Sequence, residues 1–301
     1  MAQQQAIETG RLPASTSVGE VNLTVKDLAR SLAFYRDILG YTVDETSDGM
    51  VRLTDGSGHV SFVLREHPDA QPKPRRTSGL FHAAILLPAR PGLARMVQQL
   101  VARDWPIGGA SDHGVSEALY LDDPDGNGLE IYVDRSKETW PRNGGQVAMM
   151  TEPLNFDSLF GELNASEPEW MGIPDGTTIG HIHLQVSNLE DSARFYTDVL
   201  GFETMQDTYP GALFVAAGGY HHHIGMNVWA GRGVQPPPEG TAGLTRFTID
   251  VPGRPSWDAL LQRLSGAGKA IERTDEAVVI VSDPDGIKIL LRSVPSSFAS
   301  A

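Results

Sequence analysis

The chain contains no cysteine, which excludes disulfide bonds and every thiolate metal or redox site. Any metal ion must therefore be bound by histidine and carboxylate side chains. Basic residues are also scarce, since 24 Lys and Arg stand against 38 Asp and Glu, for a formal net charge of −14. This balance argues against a nucleic-acid partner, because phosphate binding requires a basic surface. The basic cluster from Lys73 to Arg76 lies in a proline-rich stretch and is interpreted as a solvated loop.

Long apolar runs are absent as well. No segment approaches the roughly 20 apolar residues that a membrane-spanning helix needs. The first residues, MAQQQAIETG, are polar and lack the apolar core of a signal peptide. We therefore expect no membrane partner and a cytoplasmic location. With 301 residues, the chain is long enough for two domains with substantial cores.

Two segments each occur twice in the chain. Residues 19–41 (GEVNLTVKDLARSLAFYRDILGY) recur as residues 180–202 (GHIHLQVSNLEDSARFYTDVLGF). Residues 82–107 align in the same way with residues 246–271, and a DPDG tetrapeptide follows each of these copies. The two repeats together indicate four modules of about 50 residues each, in which the third module repeats the first and the fourth repeats the second.

Each module predicts one strand, one helix and then two or three strands. Val21, Leu23 and Val25 alternate with polar residues, which is the period of a half-buried strand. An amphipathic helix follows, with Asp27 in the first module and Asn188 in the third at the expected N-cap. DPDG favours a tight turn between the later strands. The predicted organisation is an N-terminal tail (1–17), a first pair of βαβββ modules over 18–134 (18–65 and 80–134), a linker (135–179), a second pair over 180–292 (180–228 and 243–292) and a C-terminal tail (293–301).

The opening motif of the modules carries a family resemblance. V-x-D-L-x-x-S-x-x-F-Y-x-D-x-L-G spans Val25 to Gly40 and recurs nearly unchanged from Val186 to Gly201. Four βαβββ modules with this opening resemble the vicinal oxygen chelate superfamily, which includes glyoxalase I, bleomycin resistance proteins and extradiol ring-cleaving dioxygenases. The resemblance implies an α+β fold in which modules pair into two half-open barrels. It also implies metal ligands on the first and last strands of the modules.

Strand alternation then indicates which side chains face into a barrel. In the second module Phe81 is assigned to the packing face and His82 to the inner face, and Glu130 of the last strand also faces inward. In the third module His181 and His183 share the inner face. Two histidines and one carboxylate form the facial triad typical of non-haem Fe(II) oxygenases. We predict a metal site of His82, Glu130 and His181, with His183 as the reserve ligand, Fe(II) as the metal and Mn(II) as an alternative.

A more specific resemblance concerns the second and third modules. The stretch from Tyr120 to Glu130 (YLDDPDGNGLE) resembles Y-x-x-D-P-x-G-N-x-x-E of type I extradiol dioxygenases. This implies that Glu130 is the iron ligand and that Tyr120 contacts the reacting substrate. Asp112-His113 resembles the D-H that precedes this strand in the same enzymes, which implies that His113 binds substrate. The run of three histidines resembles the stretch that holds the acid/base histidine, which implies His223 first and His222 second. Weaker candidates for lining the pocket are His183, Tyr132 and Asn227.

The predicted site requires the second module to pair with the third. In the fourth module Arg246 and Leu290 stand where a second histidine and a glutamate ligand would be expected. If the first module paired with the second instead, the ligands would be Glu20, His82 and Glu130, a set closer to glyoxalase I. We prefer the pairing of second with third, and of first with fourth, because it uses more of the histidines.

Together these features predict an extradiol dioxygenase that cleaves a catechol-type aromatic diol with Fe(II) and O₂. Two alternatives stay open: a glyoxalase-type metal-dependent isomerase or lyase, and a metal-free protein of the resistance type that binds small molecules. By analogy with the superfamily, we also expect a homo-oligomer.

Overall fold

The computed structural model describes residues 10–45, 49–163 and 170–296. The outer parts of both predicted tails, residues 1–9 and 297–301, lie outside the described residues, as does most of the segment considered as a signal peptide. Among the described helices, none is long and apolar enough to cross a membrane.

All four modules have the order βαβββ. The first contains β1 (Ser17–Val25), α1 (Leu28–Tyr35), β2 (Thr42–Glu45), β3 (Met50–Thr54) and β4 (Val60–Glu66). The second contains β5 (Gly79–Leu86), α2 (Arg90–Ala102), β6 (Gly109–Asp112), β7 (Ser116–Asp122) and β8 (Gly128–Asp134). The connecting segment contains a 3₁₀ turn (Lys137–Thr139), β9 (Arg142–Asn143), β10 (Gln146–Val147), β11 (Glu152–Pro153) and α3 (Phe156–Phe160). The third contains β12 (Thr178–Gln185), α4 (Leu189–Arg194), a π-helical turn (Phe195–Leu200), β13 (Glu203–Gln206), β14 (Ala212–Ala216) and β15 (Ile224–Asn227). The fourth contains β16 (Gly243–Pro252), α5 (Arg254–Gly266), β17 (Glu272–Arg273), β18 (Val278–Ser282) and β19 (Lys288–Val294).

The modules pair into two sheets, and the preferred pairing is the one observed. Strand β1 lies antiparallel to β16 in an eight-stranded sheet of order β17-β18-β19-β16-β1-β4-β3-β2, called here the first–fourth sheet. Strand β5 lies antiparallel to β12 in a nine-stranded sheet of order β11-β6-β7-β8-β5-β12-β15-β14-β13, called here the second–third sheet. The alternative pairing of the first module with the second is therefore wrong.

Side-chain caps set the helix starts as the sequence predicted. The Asp27 carboxylate accepts a hydrogen bond from the amide of Arg30 at 2.9 Å, and the Asn188 side chain accepts one from the amide of Glu190 at 2.9 Å. Each satisfies an amide that has no partner within its helix. After the π-helical turn, Gly201 adopts φ of 95°, a left-handed conformation that a side chain would strain.

Two tyrosines connect the sheets. The Tyr35 hydroxyl donates to Asp123 at 3.0 Å, which joins the first module to the second, and the Tyr196 hydroxyl donates to Asp283 at 3.2 Å, which joins the third to the fourth. Each aspartate opens a DPDG turn and also accepts amides of that turn. The duplicated motifs thus form equivalent contacts between modules that belong to different sheets.

One large apolar cluster includes side chains of all four modules, among them Phe34, Ile131, Leu184 and Trp257. The faces of the two sheets that carry the helices therefore share a core. The opposite, concave faces are left for polar and aromatic side chains, and on the second–third sheet they carry the predicted metal ligands.

The turn aspartate of the fourth module gives a test of this architecture. Burial raises the pKa of Asp283 to about 7, although two amides and the Tyr196 hydroxyl donate to its carboxylate. An aspartate in an unfolded chain has a pKa of about 3.9. Between about pH 4 and pH 7 the unfolded chain loses a proton that the folded protein keeps, so this group makes the free energy of unfolding fall as pH rises.

We expect Asp283→Asn to remove that contribution, which is at most about 4 kcal/mol at about 1.36 kcal/mol per pKa unit. Urea unfolding of both proteins below and above this pH window gives their free energies of unfolding. The change with pH in wild type minus the change in the variant measures the contribution of Asp283. Asp258→Asn, which removes an exposed partner of Arg254, is the control and should keep the wild-type pH dependence. An unchanged pH dependence in Asp283→Asn would contradict the assignment.

Candidate metal centre

Three adjacent strands of the second–third sheet carry the predicted ligands. Glu130 on β8 lies beside Ala84 on β5, and Ala84 lies beside His181 on β12. Because the middle residue of this row is alanine, the Glu130 and His181 side chains can meet above it. His82 lies on the same face, one pleat along β5, opposite His183.

The ligand atoms of His82, Glu130 and His181 all lie within 4.8 Å of one another, and all three residues are buried. The Nε2 atom of His181 is 3.2 Å from Glu130 Oε2 and forms a hydrogen bond with it. The Nε2 atom of His82 is 3.0 Å from the same oxygen, but the alignment required for a hydrogen bond is missing. The three side chains therefore converge on one point, as the sequence analysis expected of a ligand set.

The protonation states of this cluster suit a cation. Burial alone would raise the pKa of Glu130, but the imidazoles of His181 and His82 outweigh it and hold the pKa well below its usual value. Burial lowers the pKa of His181 to about 4, against the opposing attraction of Glu130. Near neutral pH the pair is thus a carboxylate beside a neutral imidazole, the forms in which both bind metals.

Unsatisfied polar atoms provide the test of whether a metal fits here. Within the described residues, the buried atoms His82 Nε2 and His181 Nδ1 have no hydrogen-bond partner. A buried carboxylate with imidazole nitrogens that lack partners is costly in free energy unless a cation is bound. The donor set of two imidazoles and one carboxylate matches the ligands of non-haem iron and of related divalent ions. The residues present therefore fit a metal ion.

The reserve ligand His183 is committed elsewhere. The amide of Trp229 donates to Asn227 Oδ1, which turns the Asn227 Nδ2 group toward His183 Nε2 at 3.1 Å. The Nε2 lone pair of His183 is thereby occupied, and burial holds the pKa of this imidazole well below its usual value. His183 lines the cavity beside the cluster, whereas Asn227, which was predicted to line it, lies behind His183 and orients it.

The three consecutive histidines point in different directions. His222 lines the cavity, and its ring lies 4.0 Å from the ring of His181, centroid to centroid. His221 is completely buried behind it and contacts Asp134. His223, the first choice as acid/base, lies outside this cavity, where its Nδ1 accepts a hydrogen bond from the Ala217 amide. The three residues lie in an irregular bend before β15, where strand alternation does not apply, and of the three His222 lines the cavity.

Two tyrosines extend the site on opposite sides. The Tyr120 hydroxyl and His113 Nε2 lie 2.6 Å apart, and both residues line the cavity, as predicted. The backbone carbonyl of Met150 fixes the other nitrogen of His113 at 2.6 Å. Tyr132 was also expected to line the pocket, but its ring packs beneath His181 and its hydroxyl contacts Tyr220 at 2.7 Å. Tyr132 therefore supports a ligand and does not face the cavity.

Sequence alternation failed at Phe81, because β5 contains a bulge. Leu80 pairs with Leu184 and His82 pairs with His183, so Phe81 is the extra residue between two matched pairs. The bulge turns Phe81 away from the packing face that it was predicted to share, and the ring lies in the cavity wall with 36 % of its surface exposed. No feature of the local sequence marks this irregularity.

The cavity has a volume of about 320 Å³ and aromatic walls. The Phe81 ring packs edge-on against Trp229 at 5.3 Å, and Phe214 packs against His222 at 5.0 Å. The segment predicted as a linker also contributes, because β11 pairs with β6 and brings a short stretch over the opening. The lining residues that sequence reasoning missed are Phe81, Ser111, Ser116, Met149, Met150, Thr151, Tyr209, Phe214 and Trp229.

The alternative ligand set is not assembled. Glu20 is on β1 of the first–fourth sheet, where it lies 3.7 Å from Arg52, while His82 and Glu130 are on the second–third sheet. In the first–fourth sheet Asn22 pairs with Arg246, the residue that aligns with His82. Among the described residues, the second–third sheet holds the ligand-type cluster, and its sister sheet does not.

Comparison with known proteins agrees with this architecture. The family described as the Glyoxalase/Bleomycin resistance protein/Dioxygenase superfamily matches residues 17–131 and 178–291. Catechol-2,3-dioxygenase of Bacillus subtilis (strain 168) is 43% identical over 273 residues, which are 89% of this chain and 94% of that protein.

Solved structures show the same fold at low sequence identity. Glyoxalase I from Zea mays superposes with a TM-score of 0.55 at 16% identity, over 92% of each chain. The cppA protein from Streptococcus pneumoniae TIGR4 gives a TM-score of 0.55 at 12% identity, over 92% of this chain and 100% of that one. The chain therefore belongs to the glyoxalase/bleomycin resistance protein/dioxygenase superfamily, as the repeated opening motif and the two half-open barrels indicated.

Proposed function

We propose that the protein is an Fe(II)-dependent extradiol dioxygenase that opens the ring of a catechol-type diol with O₂. The observation that carries this proposal is the convergence of two imidazoles and one carboxylate beside an aromatic-walled cavity, which His82, Glu130 and a third imidazole, His183, help to line. The 43% identity to a catechol-2,3-dioxygenase supports the same reaction class. The predicted homo-oligomer and cytoplasmic location stay predictions.

In this proposal His82, Glu130 and His181 hold the iron. When bound, Fe(II) supplies a centre at which a diol and O₂ can be held together and electrons can pass between them. The protein contributes a Glu130 carboxylate whose lowered pKa keeps it ionised and a His181 imidazole whose lowered pKa favours the neutral form, and metals bind both groups in these forms. Tyr132, packed against the His181 ring, helps to keep that ligand in place.

His222 is the proposed acid/base in place of His223, because His222 faces the cavity. Burial lowers the pKa of His222 well below its usual value, which favours the neutral ring with a free lone pair. We assign it the proton of one substrate hydroxyl, accepted at Nε2 and returned as the product forms. His223 has no path to the cavity from its position beside Ala217 and Tyr220.

The remaining wall residues suit a flat ring with two hydroxyl groups. Phe81, Phe214 and Trp229 offer aromatic edges and faces, which favour an aromatic substrate. On the other side, the Tyr120 hydroxyl and His113 form a polar pair that can contact a substrate oxygen. The Met150 carbonyl holds His113 in place, so the segment over the opening also orients a group that contacts substrate.

The metal site is tested by ligand replacement. We expect His82→Ala, Glu130→Gln and His181→Ala each to lower Fe(II) affinity by at least about a hundredfold, since changes to outer-shell partners alone cost 10–100-fold. Iron is measured after anaerobic reconstitution and desalting. Addition of catechol and air should then give a yellow ring-opened product with wild type only.

Arg246→Ala is the matched control, because Arg246 aligns with His82 but belongs to the other sheet. This variant should retain iron and colour formation. Iron loss from Arg246→Ala together with normal iron in His82→Ala would overturn the site. Turnover of catechol that survives removal of all metal by a chelator would exclude the proposed reaction.

The acid/base assignment is tested by comparing neighbouring histidines. We expect His222→Phe to lower kcat by about 10²–10⁴, the usual contribution of general acid–base catalysis, with its iron content unchanged. His223→Phe should keep kcat close to that of wild type. Steady-state oxygen consumption measures both, and a large kcat loss confined to His223→Phe would reverse the assignment.

A further inference from the structure

A buried chain of polar groups runs from the cavity into the protein behind it. His222 Nδ1 lies 2.7 Å from His221 Nδ1, and His221 Nε2 lies 2.9 Å from Asp134 Oδ1. The His221 side chain is fully buried, while 26 % of the Asp134 side chain is exposed. The chain therefore links a cavity residue to a carboxylate at the surface on the far side of the site.

The hydrogen-bonding capacity of each group determines where the protons lie. A carboxylate accepts hydrogen bonds and does not donate them, so His221 must carry its proton on Nε2 to bind Asp134. The Nδ1 atom of a neutral His221 is then an acceptor, and His222 must donate to it from Nδ1. This leaves the Nε2 atom of His222 with a lone pair and no proton. Among the hydrogen bonds between described residues, the His222 ring takes part through Nδ1, and the residue lines the cavity.

Aromatic packing prevents His221 from turning. Its ring lies 4.1 Å from Tyr220 and 5.3 Å from Trp140, centroid to centroid. His222 is held in turn between His181 at 4.0 Å and Phe214 at 5.0 Å. Neither imidazole can exchange its two nitrogens without displacing several buried rings.

We propose that Asp134 and His221 are positioning residues that select the Nδ1–H tautomer of His222 and so direct its unprotonated Nε2 into the cavity. The catalytic consequence rests on the proposed function, because an acid/base must present a lone pair to the substrate hydroxyl. The tautomer itself does not rest on it. The same logic operates where a buried carboxylate fixes the tautomer of a catalytic histidine in hydrolases.

The tautomers are measured by long-range ¹H–¹⁵N correlation of the full chain labelled with ¹⁵N-histidine. Metal-free and Zn(II)-loaded protein are used, because Fe(II) would broaden the signals. His221→Phe and His222→Phe assign the resonances. Wild type should show His222 protonated on Nδ1 and His221 on Nε2, as single species. In Asp134→Asn, His222 should lose this single tautomer, because an amide can also donate to His221.

Kinetics then test whether the chain acts through His222. Asp134→Asn should lower kcat by about tenfold or more, a part of the general acid–base contribution. The KM for catechol and the iron content should stay near wild type, which a general loss of structure would not allow. In a His222→Phe background the same substitution should have no further effect on kcat. The control is Asp258→Asn, which removes an exposed carboxylate on α5 of the fourth module and should leave kcat unchanged.

The outcomes separate the two proposals. His222 protonated on Nε2 in the wild-type protein would overturn the positioning chain whatever the enzyme does. An equal loss of kcat on Asp134→Asn with and without His222 would overturn it as well. The expected tautomers in a protein that never cleaves catechol would instead remove the proposed function and leave the chain of hydrogen bonds standing.

Discussion

The antiparallel pairing of β5 with β12 is the interaction on which the rest of the site depends. It aligns Ala84 with His181 and His82 with His183, while the parallel pairing of β5 with β8 adds Glu130 to the same row. Strands lie about 4.8 Å apart, so side chains on one face of three neighbouring strands can share one ion. The first and second modules do not pair in this way, and the candidate ligand set is assembled only because the second and third modules do.

The two sheets show what duplication preserved and what it changed. Both keep the capped helices and the tyrosine-to-aspartate contacts between modules, which maintain the shared core. On the concave face of the first–fourth sheet, ion pairs such as Asp250 with Arg292 neutralise the buried charge. On the second–third sheet, the buried Glu130 faces the imidazoles of His82 and His181 in place of an arginine, a donor set that suits a metal ion. The second–third sheet thus carries the candidate active site, whereas the first–fourth sheet contributes mainly to the shared core.

Sequence reasoning placed the candidate ligand residues on one face because regular alternation, once the module pairing was chosen, is enough to assign alternate side chains to the same face. The N-cap preference of Asp and Asn located the helix starts at Asp27 and Asn188 equally well. Alternation failed where the backbone is irregular. The bulge at Phe81 and the return of the connecting segment over the cavity depend on long-range contacts that no local pattern encodes. His223 was preferred over His222, yet His222 is the one that lines the cavity. Three identical neighbours give no indication of which side chain faces inward.

The central claim is that His82, Glu130 and His181 together hold one ferrous ion between the second and third modules. Anomalous diffraction at the iron absorption edge, from crystals grown and kept without oxygen after reconstitution, tests it most directly. The account predicts a single strong anomalous peak within bonding distance of all three side chains and none on the concave face of the first–fourth sheet. A peak bound by other residues, or reconstituted crystals with no peak at this cluster, would contradict it.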